Sequence, residues 1–377
     1  MTKPADKQDQ RPLLLTPGPL TTSEATRHAM LRDWGSRDSD FIALTARVRC
    51  QLEAICNSQP THRCIPIQGS GTFAVEAMIG TMVPPNGRLV VASNGAYGRR
   101  IATIANRLGR KVNLIESRED RPTDIAQLDQ ALSTHSPSHL AIVHCETTSG
   151  VLNPIGQLAD MAHQRGIATL VDAMSSFGAL PLDCQTLHCD AVAASANKCL
   201  EGVPGVAFVI ARTAALGKTA GNAPSLSLDL HEQAHGLDSN GQWRFTPPTH
   251  VMAALSAALD QFVAEGGQPA RLARYQDNCD HLVSGMRALG FETFLRDTDQ
   301  APIIITFKMP APPEFAFDRF YAALHDKGVV IYPGKITDAD TFRVGCIGAI
   351  TRADIEFAQK AVQSVLNILG LRSGAPA

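Results

Sequence analysis

Two side chains in this sequence have the types and placement to do chemistry together, an amine and an acid. Lys198 lies in Asp190-Ala-Val-Ala-Ala-Ser-Ala-Asn-Lys-Cys-Leu-Glu-Gly-Val-Pro-Gly205, where an apolar run that reads as a buried strand gives way to a Gly/Pro loop. A lysine delivered by a core strand is poorly hydrated, so its neutral amine is favoured and can attack an aldehyde to form a Schiff base. Upstream, Ala168-Thr-Leu-Val-Asp172 is a second apolar run, and it ends in an acid. The two residues stand 26 positions apart, room for one short connection and one further strand, so both can face a single cleft. Each alone has an ordinary structural reading: the acid as a helix cap or turn former, the lysine as a solvated charge.

Other polar clusters sit where strands give way to turns or helices. Gln68-Gly-Ser70-Gly71-Thr72 places a small-residue turn directly before a predicted helix; main-chain N–H groups, two hydroxyls and the helix dipole there would hold a phosphate, or simply cap the helix. A lysine for an aldehyde, a carboxylate for a ring nitrogen and a phosphate turn together suit pyridoxal 5'-phosphate. Tyr97, in Asn94-Gly-Ala-Tyr-Gly98, could stack on a flat cofactor or merely pack. Thr147, in Cys145-Glu-Thr-Thr-Ser-Gly150, could bond the cofactor's phenolic oxygen or its own turn. Arg343 stands in the apolar run Thr341-Phe-Arg-Val-Gly345, where a buried guanidinium needs an anion: a substrate carboxylate, or an internal Asp or Glu. His231-Glu232-Gln-Ala-His235 fits the H-E-x-x-H zinc-hydrolase pattern, but its flanks read as a short surface segment without a long helix or third ligand, and no metal is expected.

The elements that must position these groups alternate. Strands are predicted at Arg88–Ser93, Val112–Glu116, His139–His144, Ile167–Val171, Ala191–Ser195 and Val206–Ala211. Helices are predicted at Phe73–Met82, Arg99–Leu108, Asp124–Leu132, Gly156–Arg165 and Val251–Ala264. This βα order calls for an α/β fold with a mainly parallel sheet covered by helices, its ligands at the strands' carboxyl ends. After Gly266-Gly267 the pattern changes to helix Pro269–Leu289, strand Pro302–Lys308, helix Phe315–Asp326, strand Thr341–Gly345 and helix Arg352–Leu369, a smaller α+β unit. The expected organisation is an N-terminal arm over 1–20, a large domain over 21–266 and a small domain over 267–377, with loose ends at 1–12 and 373–377.

Composition narrows the partners. With 377 residues, 44% apolar and 19% charged, and a net charge of −2, the chain has the make-up of a globular protein without an electrostatic footprint for nucleic acid or anionic membrane. No apolar stretch is long enough to span a bilayer and Met1–Pro12 has no signal-peptide core, so a cytoplasmic protein with small-molecule ligands is expected. The nine cysteines read as reduced, mostly buried thiols.

Taken together, these residues resemble the class V branch of the fold-type I pyridoxal-phosphate aminotransferases, with a seven-stranded-type sheet in the large domain. The resemblance runs from about Leu13 to Leu369 and is carried by Leu13-Leu-Leu-Thr-Pro-Gly-Pro-Leu-Thr-Thr22, Gln68-Gly-Ser-Gly-Thr72, Cys145-Glu-Thr-Thr-Ser-Gly-Val-Leu-Asn-Pro154, Val171-Asp-Ala-Met-Ser-Ser176, Gly202-Val-Pro-Gly205, Ser195-Ala-Asn-Lys-Cys199 and Arg244-Phe-Thr-Pro-Pro-Thr249. The last two resemble the members that pass the amino group of 2-aminoethylphosphonate to pyruvate, yielding phosphonoacetaldehyde and L-alanine in two stages through pyridoxamine phosphate. The resemblance implies that Lys198 binds the cofactor aldehyde, Asp172 pairs with the ring nitrogen, Tyr97 stacks on the ring and Thr147 holds its oxygen. Ser70, Gly71, Thr72 and Asn197 would bind the phosphate, joined by Thr246 from a second subunit of a homodimer with shared sites. Gly18 and Arg343 would meet the substrate, with Arg37 as a second cation. The rival within the family is an alanine–glyoxylate or serine–pyruvate aminotransferase; the rival from another class is a zinc hydrolase built on His231 and His235.

Overall fold

The computed structural model describes residues 11–311, 315–336 and 339–376. Residues 1–10 of the expected 1–20 arm, together with Ala377, lie outside the described residues. The central sheet has seven strands in the spatial order His62–Gly69, Gly205–Arg212, Ala191–Ser195, Ala168–Asp172, His139–Val143, Arg88–Ser93, Lys111–Glu116. All pairs are parallel except the two made by Gly205–Arg212. That strand runs backwards because the loop from Ala196 to Pro204 is too short to hold a crossover helix. His62–Gly69 was not anticipated, since Pro66 argues against a strand; it lies at the sheet edge, where a missing N–H is tolerated.

The near-continuous apolar strands are explained by cover on both faces. Val90, Ala92, Leu140, Ile142, Val171 and Val192 pack against helices Ser39–Ile55, Ile125–His135, Ile155–His163 and Thr249–Glu265. Their neighbours Leu89, Val91, Ala141, Val143, Leu170 and Ala191 pack on the other face against Gly71–Met82, Ala96–Arg107 and Leu230–Asn240. At about 1.5–3 kcal/mol for each buried Val, Leu or Ile, this alternation holds the strand ends in place.

The remaining chain builds a three-stranded antiparallel sheet, Ile304–Lys308, Thr341–Gly345 and Tyr332–Pro333, packed on helices Gly267–Ala288, Phe317–Asp326 and Arg352–Ile368. Gly266, at φ 112°, ends the preceding helix, and we propose the domain division there. Leu13–Leu14 pairs in parallel with Val329–Val330, so the arm is anchored on the C-terminal unit. The C-terminal tail is not loose as expected: Gly374 N–H donates to the Leu289 carbonyl at 2.9 Å and Ala311 N–H to the Ala375 carbonyl at 2.9 Å.

Candidate active site

Lys198 and Asp172 line one cavity at the carboxyl ends of neighbouring parallel strands. Lys198 sits past its strand in a turn closed by Glu201 N–H to the Lys198 carbonyl at 2.9 Å and Gly202 N–H to the Ala196 carbonyl at 2.8 Å. Helix Gly267–Ala288 pins that turn: Glu201 Oε1 accepts from Arg274 at 2.7 Å and from the Tyr275 hydroxyl at 2.6 Å, while Arg271 donates to the Cys199 carbonyl. Both arginines also hold Glu265 at 2.8 Å. The N-terminal arm closes over the lysine, whose Nζ donates to the Pro17 carbonyl. Gly18, at φ 120°, comes so near that a Cβ would lie 2.8 Å from both the Asn197 carbonyl and the Lys198 Cδ; only glycine permits that approach.

Burial strips water from both charged groups. It lowers Lys198 from 10.5 to about 8, although Cys199 and Asp172 pull the other way. It pushes Asp172 up to about 6, the carboxylate having the Met174 N–H at 2.9 Å as its hydrogen-bond donor among the described residues.

Ser70, Gly71 and Thr72 line the same cavity at the start of helix Gly71–Met82. Ser70 makes no side-chain capping bond, so first-turn N–H groups there lack a side-chain partner. A Cβ on Gly71 would run into the Met174 sulfur. Tyr97 opens helix Ala96–Arg107, which is capped from a distance: buried Glu146 accepts from Tyr97 N–H at 3.3 Å and Gly98 N–H at 3.4 Å, and Thr148 Oγ1 from Ala96 N–H at 2.9 Å. One turn on, Arg100 also lines the cavity, its guanidinium 4.7 Å from the Tyr97 ring centre and 3.4 Å from Thr72 Oγ1. Sequence reasoning missed Arg100; its position three residues after Tyr97 on a helix was the available signal.

Arg343 is 2% exposed. Its Nε donates to the Pro333 carbonyl and its Nη1 to the Thr147 carbonyl, each at 3.0 Å. Among the described residues no acid pairs with it, so the internal salt bridge is not the explanation. Its charge adds to the lowering of Lys198 and works against the rise that burial gives the Tyr97 hydroxyl. Asn197 and Ser195 also line the cavity, with apolar Val75, Ile101 and Met174, whereas Arg343 stands outside that lining. Thr147 does not line it: its hydroxyl lies 2.5 Å from Ser175 Oγ and its carbonyl holds Arg343. The single chain does not bring Thr246 or Arg37 into the cavity either. Thr246 is exposed beside Gly69, Phe73 and Phe245 in a separate surface pocket, and Arg37 is exposed in the turn before helix Ser39–Ile55. The segment around His231 and His235 is a full helix, Leu230–Asn240, rather than a short link between loops. His235 is exposed, His231 contacts Glu232 at 3.3 Å, and among the described residues neither histidine belongs to a cluster of three metal-ligand types.

A buried acid short of partners, a softened amine and a helix N-terminus without a side-chain cap surround one space, and this set fits pyridoxal phosphate. The profile described as Aminotransferase class-V matches residues 21–359. The chain belongs to that family. Within the family, a 2-aminoethylphosphonate–pyruvate transaminase of Burkholderia thailandensis is 53% identical over 364 residues, covering 96% of this chain and 99% of its own. One of Pseudomonas fluorescens is 52% identical over 356 residues, covering 94% and 96%. Among solved structures, an alanine–glyoxylate aminotransferase of Nostoc sp. superposes with a TM-score of 0.89 at 24% identity, covering 97% of each chain. A pyridoxamine–pyruvate aminotransferase of Mesorhizobium loti does so at 0.87 and 22%, covering 96% and 93%. These two likenesses speak for the class-V aminotransferase fold alone.

Proposed function

We propose that this class-V aminotransferase moves the amino group of 2-aminoethylphosphonate to pyruvate, giving phosphonoacetaldehyde and L-alanine. The observation that carries the reading is the 52% to 53% identity, over nearly the full length of both chains, to transaminases of that name. When bound, pyridoxal phosphate would supply an aldehyde that takes up amines and a ring that accepts electrons from the carbon bearing the amino group. Ser70, Gly71, Thr72 and Asn197 would hold its phosphate, with Arg100 adding a positive charge. Tyr97 would stack on the ring. Thr147, through Ser175, would sit behind the ring oxygen.

The protein's own groups then divide the work. Asp172 keeps the ring nitrogen protonated, because a cation beside it relieves the cost of its burial. Lys198 Nζ, part of it unprotonated near neutrality, takes the proton from the amino-bearing carbon and returns it on the far side of the exchange. Arg343 grips the pyruvate carboxylate and, in the other half of the cycle, the phosphonate. Gly18 and Pro17 shield Lys198 from water. Arg37 is the second cation we propose for the phosphonate.

A homodimer would complete the site with Thr246. In support, Phe73, Leu226 and Phe245 are 48%, 73% and 50% exposed, and Phe73 and Phe245 share a surface pocket with Thr246, an apolar patch suited to a second subunit. The nine cysteines are all free, in keeping with the cytoplasm where we place the enzyme. Among the described residues no helix is long and apolar enough to cross a membrane. The test is L-alanine formation from pyruvate with a panel of amino donors. 2-Aminoethylphosphonate should support turnover and serine should not; turnover with serine at an equal rate would move the chain to the serine–pyruvate side of the family.

A further inference from the structure

At the far end of the strands that lead into the cavity, buried side chains converge that the proposed chemistry does not use. His62 opens strand His62–Gly69, while Cys184 and Cys189 lie in the segment leading to strand Ala191–Ser195. A ring nitrogen of His62 and the Sγ atoms of Cys184 and Cys189 all lie within 4.8 Å of one another, and all three residues are buried. Cys56, at the end of helix Ser39–Ile55 and also buried, lies close by, its thiol 3.7 Å from the Leu52 and Glu53 carbonyls. We propose that this cluster is a structural zinc site, with His62, Cys184 and Cys189 as ligands and Cys56 as the fourth once its thiol turns away from the Leu52 and Glu53 carbonyls.

The donor chemistry is that of zinc, since thiolates with one imidazole at four corners suit a tetrahedral ion. Zn–S of about 2.3 Å and Zn–N of about 2.0 Å require donors roughly 3.5–3.8 Å apart, so a separation within 4.8 Å needs only a small closure. Both ring nitrogens of His62 have polar neighbours. Thr61 Oγ1 lies 2.8 Å from His62 Nδ1 and 3.2 Å from the Ser58 carbonyl, and accepts from Gln185 Nε2 at 2.9 Å. Without metal, Nε2–H faces the Cys189 carbonyl at 3.2 Å, and zinc binding there would displace that proton. Two thiolates balance a zinc ion, and Arg212, paired with Asp190 at 3.6 Å, fixes the Cys189 carbonyl by a hydrogen bond of 2.8 Å.

The site would tie three elements together where Cys184 N–H already donates to the Cys56 carbonyl at 2.8 Å. It would brace the starts of the two strands whose other ends lead to Ser70 and Lys198, without touching the reaction. The spacing hid it, because Cys56 and His62 are far in sequence from Cys184 and Cys189.

The holoenzyme, produced with zinc in the medium and purified without chelator, is analysed for metal by elemental mass spectrometry. We expect close to one zinc per chain, lost in the Cys184→Ser/Cys189→Ser variant and kept in His231→Ala/His235→Ala. Cobalt in its place should give the ligand-field bands of a tetrahedral thiolate site, and a strong chelator should lower the melting temperature of the wild type until zinc is returned. Less than about a tenth of an equivalent after incubation with zinc and desalting overturns the proposal, whether or not the cysteine variant folds. So does zinc that follows His231 and His235, or a disulfide mapped to Cys184 in the freshly purified protein.

Discussion

The amine of Lys198 should be far more available at neutral pH than a solvated lysine, and by a calculable margin. Burial brings it from 10.5 to about 8. At about pH 7 an ordinary lysine is roughly one part in 3,000 free amine, whereas Lys198 is about one part in ten, a gain of roughly 300-fold. The assay is capture of pyridoxal phosphate by the cofactor-free protein, followed in a stopped-flow instrument by visible absorbance, with a small model amine run in parallel to remove the aldehyde's own pH dependence. The rate should rise about tenfold per pH unit and level off near pH 8. The neighbours set the direction of further shifts: Asp172→Asn removes a charge that holds the proton on Lys198, so the knee should move to lower pH, and Arg343→Met should move it higher. A corrected rate still climbing steeply above about pH 9.5 would mean that Lys198 is solvated and that the buried-amine argument is wrong.

Lys198→Ala should keep the fold by circular dichroism and lose both turnover and the visible absorbance of bound cofactor; residual transamination at the wild-type rate would relocate the base. Arg343→Gln removes charge-assisted hydrogen bonds worth about 1.5–3 kcal/mol, so the KM for pyruvate should rise roughly 10- to 150-fold, and an unchanged KM would place the carboxylate elsewhere. Asp172 has a folded value of about 6 against 3.8 unfolded, so the folded state holds the proton more tightly. Its relative stabilisation is complete below about pH 4 and lost as pH rises through about 6, roughly 3 kcal/mol in all. Urea unfolding of the cofactor-free protein, compared with Asp172→Asn across that range, should show the difference; parallel pH curves would refute it. Sedimentation should give twice the 40.3 kDa chain mass, with Thr246→Val weakening retention of the cofactor.

Much of the fold could be read before any coordinates. Strands Arg88–Ser93, Ala191–Ser195 and Thr341–Gly345 fall where the apolar runs predict them, because strands covered on both faces must be apolar throughout. The edge strand was hidden by Pro66, whose cost depends on a sheet position that sequence does not display. The reversal of Gly205–Arg212 follows from a loop length and could have been inferred, yet a run of apolar residues carries no direction. For His231 and His235 the local pattern misled twice, offering a metal motif and concealing a helix whose buried face, Leu230, Ala234 and Leu237, packs on the sheet.

What the sequence picked out alone is the pair we propose as reactive. Lys198 and Asp172 are recognisable because each ends an apolar run, and strand ends are where a parallel sheet presents its chemistry. Only the tertiary structure decided what surrounds them: Glu146 capping the helix that carries Tyr97, Arg100 beside Thr72, Arg271 and Arg274 holding the lysine turn, and, at the far end of the strands, a histidine gathered with two cysteines. These contacts join residues tens to more than a hundred positions apart. Local propensity acts over one turn or one strand, whereas the charge, burial and donor geometry of a site arise where distant segments pack, so the first was legible in the chain and the second had to be seen folded.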